Sequence, residues 1–194
     1  MGIEINSEKI SQIKKLSKKA KMLSLSKQAK IPSQARHLVV RKDADKRHLD
    51  KDELETICTC CSSSIKTAEE LIAASEKIVK ETESRPIQQY SELIKQGGKL
   101  YPEQRADACW RDCQQFPRVI IYGVACNSEE ITDKFGMKAL VCLYEILEVP
   151  TRAMLYVIRE MWKSAELVLG DEEHEPGTKH PRGGFKVLIH SLEY

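Results

Sequence analysis

Residues 106–125 have the sequence ADACWRDCQQFPRVIIYGVA. In a helix, at about 100° per residue, Cys109 and Asp112 lie about 60° apart on one face. A thiol and a carboxylate are therefore presented together. Arg111 lies off that face, although its long stem can carry a cation back toward an acidic group. From Val119 onward the stretch is apolar, so one end of the helix carries polar chemistry and the other end belongs to a core.

The composition is typical of a helical protein of ordinary domain size. The 194 residues include only 6% aromatic residues, 9 glycines and 7 prolines, while 31% are charged. These values favour an all-α protein with a solvated surface. The length accommodates one domain with an appendage, and the net charge of +2 says little about partners.

No stretch reaches the roughly 20 apolar residues needed to span a bilayer, and no charged-then-apolar leader opens the chain. We therefore expect a soluble, intracellular protein. The 7 cysteines form an odd set without a secretory signal, which indicates reduced thiols. We expect buried thiols rather than metal ligands, and no metal at His174 or His180, because no third ligand is evident beside them.

The first 31 residues form a basic amphipathic segment, predicted as a helix that ends before Pro32. Lysines fill most positions between apolar residues that recur every three or four places, namely Ile10, Ile13, Leu16, Ala20 and Leu23. We assign residues 1–39 to an N-terminal extension. Residues 1–31 could pack on their own domain, dock on an acidic protein or lie on an anionic membrane surface. Nucleic acid is not expected, because the segment has no aromatic residue for base stacking.

Further helices are predicted along the rest of the chain. A cap at Asp50 with Glu53 starts one of them, and apolar positions keep a helical period to about Glu81, with a break at the serines 62–64. Arg85-Pro86 is expected to close this unit. The later predictions are helices at 88–95, 129–147 and 151–169, a kink at Pro117, and a loop over 170–184.

These landmarks together resemble the phycobiliprotein family, and within it the allophycocyanin α subunits. The Cys-x-Arg-Asp pattern at 109–112 is similar to the family's chromophore-bearing helix. Residues 41–49, the Gly-Gly-x-x-Tyr turn ending at Tyr101, the spacing from Tyr144 to Pro150 and the C-terminal helix follow the family in order. The resemblance covers residues 40–194 and implies a globin-like, all-α helical bundle with an N-terminal helical hairpin or extension.

The resemblance also implies a cofactor and its site. In the family the cysteine forms a thioether with a linear tetrapyrrole, so Cys109 is the expected attachment point for phycocyanobilin. Arg111 would pair with a propionate, and Asp112 would accept hydrogen bonds from pyrrole N–H groups. The remaining residues expected to line the pocket are Tyr101, Trp110 and Tyr144.

The implied function is light harvesting rather than catalysis. Such a subunit pairs with a β-type subunit, and the heterodimers assemble into trimeric rings of the phycobilisome at the cytoplasmic or stromal face of the thylakoid. The alternative is a chromophore-less linker, assembly or regulatory protein that docks on phycobilisome or photosystem. The basic extension, Pro117 and the residues Gln114-Gln115-Phe116 depart from an ordinary antenna subunit and suit that alternative.

Two other classes fit the sequence poorly. An enzyme is not expected, because no histidine lies near Cys109 in sequence and no glycine-rich phosphate loop is present. A haem-binding globin is not expected either, because residues 54–169 contain no histidine that could serve as a proximal ligand.

Overall fold

A computed structural model describes residues 6–169 and 181–193, apart from the side chains of residue 76 and residues 81–89. Within this part of the chain all regular structure is helical. The α-helices are α1 Ser7–Lys19, α2 Ser33–Asp45, α3 Lys51–Cys61, α4 Ile65–Gln89, α5 Ser91–Ile94, α6 Glu103–Ala125, α7 Lys134–Ile146, α8 Thr151–Leu169 and α9 Pro181–Leu192. None of these helices has both the length and the apolar character required to cross a membrane.

Helix α3 begins and ends where the sequence predicts. The Asp50 carboxylate accepts a hydrogen bond from the backbone N–H of Glu53 at 3.0 Å, and the Glu53 carboxylate accepts one from the Asp50 N–H at 3.1 Å. This capping box satisfies two backbone donors that the first turn leaves free. Ser62 ends the helix in the left-handed conformation, with φ of 52°. The predicted break at the serines is confirmed.

Helix α4 continues past its predicted end. The expected stop at Arg85-Pro86 is wrong, because the helix runs on to Gln89, and the short helix expected over 88–95 is reduced to Ser91–Ile94. An interior proline removes only one backbone hydrogen bond, so a helix can continue through it.

Helix α6 is also unbroken through its proline. We expected a kink or a local opening at Pro117. The opening is wrong, because Glu103–Ala125 is helical throughout with Pro117 buried, and the kink stays a prediction. Its neighbours Phe116 and Val119 are at most 1% exposed, so core packing on both sides offsets the lost hydrogen bond. The predicted apolar end of α6 is confirmed, and it packs against α3, α4, α8 and α9.

Helix α7 begins later than predicted, at Lys134 rather than near residue 129. The Asp133 side chain caps it by accepting a hydrogen bond from the Gly136 N–H at 2.7 Å. Phe135, which we expected to be buried, is 81% exposed. The buried face instead follows Met137, Leu140 and Tyr144, and Phe135 lies off that face.

We predicted that the N-terminal extension is one helix up to residue 31, and this is wrong. Helix α1 ends at Lys19, and residues 22–24 then run antiparallel to residues 131–133. The Ser24 N–H donates to the Ile131 carbonyl at 2.9 Å, and the Asp133 N–H donates to the Met22 carbonyl at 2.7 Å. The extension therefore packs on its own domain.

Helix α2 follows the extension and crosses the predicted boundary between residues 39 and 40. It is held to α6 by Arg118, which is only 3% exposed. The Arg118 guanidinium pairs with the Asp43 carboxylate at 2.9 Å and donates to the Tyr122 hydroxyl at 2.9 Å. Tyr122 in turn donates to the Arg47 carbonyl, so one buried cation joins both elements.

The C-terminal helix starts earlier than expected. We predicted a loop through residue 184, whereas α9 begins at Pro181 and includes Gly183 and Gly184. The acidic run at 171–175, including His174, and His180 lie outside the described residues.

We expect Arg118→Met to lower the free energy of unfolding by about 3 kcal/mol, because it leaves the Asp43 carboxylate and the Tyr122 hydroxyl without their buried partner. Arg159→Met is the matched control, since the ion pair of Arg159 with Glu193 is exposed and contributes about 1 kcal/mol or less. Urea denaturation of both variants measures the difference. Equal losses would show that the buried pair has no special role.

A second prediction concerns the contact between the extension and α7. A methyl group on Gly136 would overlap the Lys21 backbone carbonyl, so Gly136→Ala should displace residues 20–23 and lower stability by about 1–3 kcal/mol. Gly183→Ala is the control, because its new methyl group would meet the side chain of Glu129, which can move, rather than backbone. Trypsin cleavage within residues 14–21 should accelerate in the first variant and not in the control.

Candidate functional site

Asp112 and Tyr144 form the polar centre of the candidate site. The Tyr144 hydroxyl, carried by α7, donates to Asp112 Oδ2 on α6 at 3.0 Å. Partial burial raises the pKa of Asp112, while the hydrogen bond from Tyr144 and the charge of Arg111 act in the opposite direction. Burial also raises the pKa of Tyr144, so its hydroxyl keeps the proton that it donates. Asp112 retains exposed surface, which leaves its carboxylate accessible to a ligand.

A cavity of about 640 Å³ lies beside this pair. Residues of α2, α6, α7 and the extension line it. This volume is within the range of roughly 300–1,000 Å³ that is usual for ligand pockets. Its charged and hydrogen-bonding lining includes Lys18, Lys21, Lys46, Asp112, Arg118 and Tyr144.

Cys109 opens on a different, smaller cavity of about 130 Å³, which Trp110 and Cys113 also line. A hydrogen bond with Cys113 lowers the pKa of Cys109, and the charge of Arg105 acts in the same direction against burial and Asp112. Cys113 is 1% exposed, and its pKa is raised well above that of an ordinary thiol. Cys109 is therefore the more nucleophilic of the two thiols.

The Trp110 side chain has a polar atom without a partner. Its Nε1 is buried and forms no hydrogen bond with the described part of the chain. Buried N–H groups normally have an acceptor, so an unpaired donor beside a half-buried thiol suits a ligand that brings an acceptor.

Arg111 and Tyr101, also predicted for the site, lie at the surface. Arg111 Nε donates to the Asp107 carbonyl of its own helix at 3.3 Å, and Tyr101 is 47% exposed just before α6. The structure thus brings Asp112 together with Tyr144, and Cys109 together with Trp110, on neighbouring parts of α6. It does not bring all six residues into one cavity.

Sequence reasoning missed the cations that line the larger cavity. Lys18 and Lys21 are among the lysines of the amphipathic pattern, which indicated a basic helix but not where it docks. Arg118 follows Pro117 in a largely apolar run, and nothing in that run indicates its partner Asp43, which is 75 positions earlier.

The sequence model of the phycobilisome protein family matches residues 37–191. The chain belongs to this family. It is 29% identical to the allophycocyanin alpha subunit of Picosynechococcus sp. over 159 residues, which cover 80% of this chain and 96% of that protein. It is 28% identical to the allophycocyanin alpha chain of Arthrospira platensis over 144 residues, covering 72% and 89% of the two chains. The predicted resemblance to the allophycocyanin α subunits is confirmed.

A solved structure confirms the fold of this phycobilisome protein. It is a far-red fluorescent biliprotein derived from an allophycocyanin F subunit of Chroococcidiopsis thermalis. The two superpose with a TM-score of 0.55 at 21% identity, covering 66% of this chain and 94% of the other. The predicted globin-like, all-α bundle is therefore correct.

The family match includes Cys109, Asp112 and Tyr144 and leaves out residues 1–36. The part of the extension that lines the larger cavity is thus outside the region that this chain shares with the family. Among the described residues of this phycobilisome protein, no three His, Cys, Asp or Glu side chains are grouped so that they could hold a metal ion.

We expect Cys109 to react with iodoacetamide at neutral pH far faster than Cys113, which should react only after unfolding. Because the pKa of Cys109 is lowered, its rate should reach a plateau at a lower pH than that of an ordinary thiol. Peptide mass spectrometry follows each cysteine separately, with Cys142 as a half-buried comparison. Equal rates at Cys109 and Cys113 would contradict this assignment.

Proposed function

We propose that this phycobilisome protein carries phycocyanobilin covalently on Cys109 and transfers excitation energy. The observation that supports this most strongly is the Asp112 carboxylate, held by Tyr144 beside a cavity of about 640 Å³ and one helical turn from a half-buried thiol. Partial burial of a carboxylate disfavours its charged form, so a ligand that donates N–H groups there restores lost hydrogen bonds.

The residues present fit such a pigment. Cys109 would hold it through a thioether, and Asp112 would accept hydrogen bonds from pyrrole N–H groups, with Tyr144 fixing the carboxylate. The free Nε1–H of Trp110 would donate to a ligand oxygen. Arg111, exposed at the surface of α6, would pair with one propionate, and Tyr101 would lie at the rim. When bound, the bilin supplies the absorption of visible light, and the protein restricts its motion.

The relatives named allophycocyanin alpha support a place in the phycobilisome. On this basis we propose a β-type phycobiliprotein as the partner, heterodimers that assemble into trimeric rings, and a location at the cytoplasmic or stromal face of the thylakoid. The outer face of α1 carries exposed lysines that suit an acidic protein or an anionic membrane surface. The work of the protein is excitation transfer and not catalysis.

Expression in a bilin-producing host tests the proposal. The wild type should give a zinc-enhanced fluorescent band on a denaturing gel, Cys109→Ala should lose it, and the control Cys142→Ala should keep it. Asp112→Asn should keep the covalent band but broaden and weaken the visible absorption, because a neutral amide holds the pyrrole N–H groups less firmly. A wild type that stays colourless in that host contradicts the proposal.

One observation favours a second function. The cavity beside Cys109, at about 130 Å³, is smaller than usual ligand pockets, and the extension already covers the cleft beside Asp112. A chromophore-less linker, assembly or regulatory protein would keep this arrangement. Colourless protein that co-purifies with phycobilisome or photosystem, and loses that association when residues 1–19 are deleted, would support this alternative.

A further inference from the structure

The extension forms one wall of the cavity that contains Asp112 and Tyr144. Residues of its segment from Ser17 to Ser26 line this cavity together with residues of α6 and α7. Because the family match begins at residue 37, this wall is a feature of this chain that the match does not cover.

The wall has a fixed backbone. The Asp133 N–H donates to the Met22 carbonyl at 2.7 Å, and Gly136 of α7 lies directly against the Lys21 carbonyl. Leu23 is 8% exposed and anchors the same segment in the core. The domain itself therefore determines the position of the Lys21 backbone.

The charges of the cavity favour an anion. Four cationic residues line it, and two acidic residues oppose them, Asp43 and Asp112. Asp43 is already paired with Arg118 and Lys46. The ammonium groups of Lys18 and Lys21, in contrast, form no ion pair with the described residues. Two lysines without an ion pair among the described residues thus line a cavity of ligand size.

We propose that Lys18 and Lys21 bind the second propionate carboxylate of the bilin, the one that Arg111 does not pair with, so that the N-terminal extension completes the pigment pocket within a single chain. This inference rests on the proposed function. A linear tetrapyrrole carries two propionates, and its N–H groups would be at Asp112. The two ammonium groups of the extension would supply point charges for the carboxylate that Arg111 leaves unpaired.

The double variant Lys18→Gln, Lys21→Gln tests this, with Lys14→Gln, Lys15→Gln as the matched control. The control removes two exposed lysines of α1 that do not line the cavity. Phycocyanobilin is titrated into each purified apoprotein, and quenching of tryptophan fluorescence gives Kd. We expect binding to weaken about tenfold in the test variant, the loss typical of one or two charge-assisted contacts, and to be unchanged in the control.

Trypsin provides a readout that does not depend on the pigment's absorption. In the wild type, phycocyanobilin should slow cleavage after Lys18 and Lys21, mapped by mass spectrometry, and leave cleavage after Lys14 and Lys15 little changed. Bilin that binds wild type and test variant equally, without this protection, overturns the inference and leaves the proposed function intact. A wild type that binds no bilin overturns both.

Discussion

The buried guanidinium of Arg118 connects the N-terminal helices to the rest of the bundle. A cation that is 3% exposed is tolerated only when it is fully paired, and here Asp43, Tyr122 and Gln115 supply its partners. Because Asp43 is carried by α2 and the other two by α6, the network determines how these helices sit together. Asp43 and Arg118 both line the cavity beside Asp112, so this interaction contributes to its walls.

The two halves of helix α6 have different roles. Its C-terminal half belongs to the core. Its N-terminal half carries Cys109, whose pKa is lowered, and Asp112, whose pKa is raised. A carboxylate in a partly desolvated position opposes folding in its ionised form, so its presence is better explained by a ligand than by stability. Membership of the phycobilisome protein family identifies the class of ligand that suits this pair.

Patterns that depend on nearby residues predicted local structure well. The capping box of Asp50 and Glu53, the break at Ser62 and the apolar half of α6 all follow from contacts within a few positions, and all are confirmed. The prolines misled the prediction, because the penalty of an interior proline is local while the packing that offsets it comes from distant helices. Phe135 was wrongly predicted to be buried. The helix starts later than predicted, and its buried face does not include this residue.

The order of residues alone was enough to specify the helical class, the family and the spacing of Cys109 and Asp112, because helix periodicity and short motifs act over a few residues. Only the folded chain shows that Tyr144 holds Asp112, that Cys109 opens on a separate cavity and that Lys21 lines the same cavity as Asp112. These contacts join residues that are far apart in sequence, and their pairing depends on how whole helices pack. The periodicity of the sequence does not predict which helices pack together.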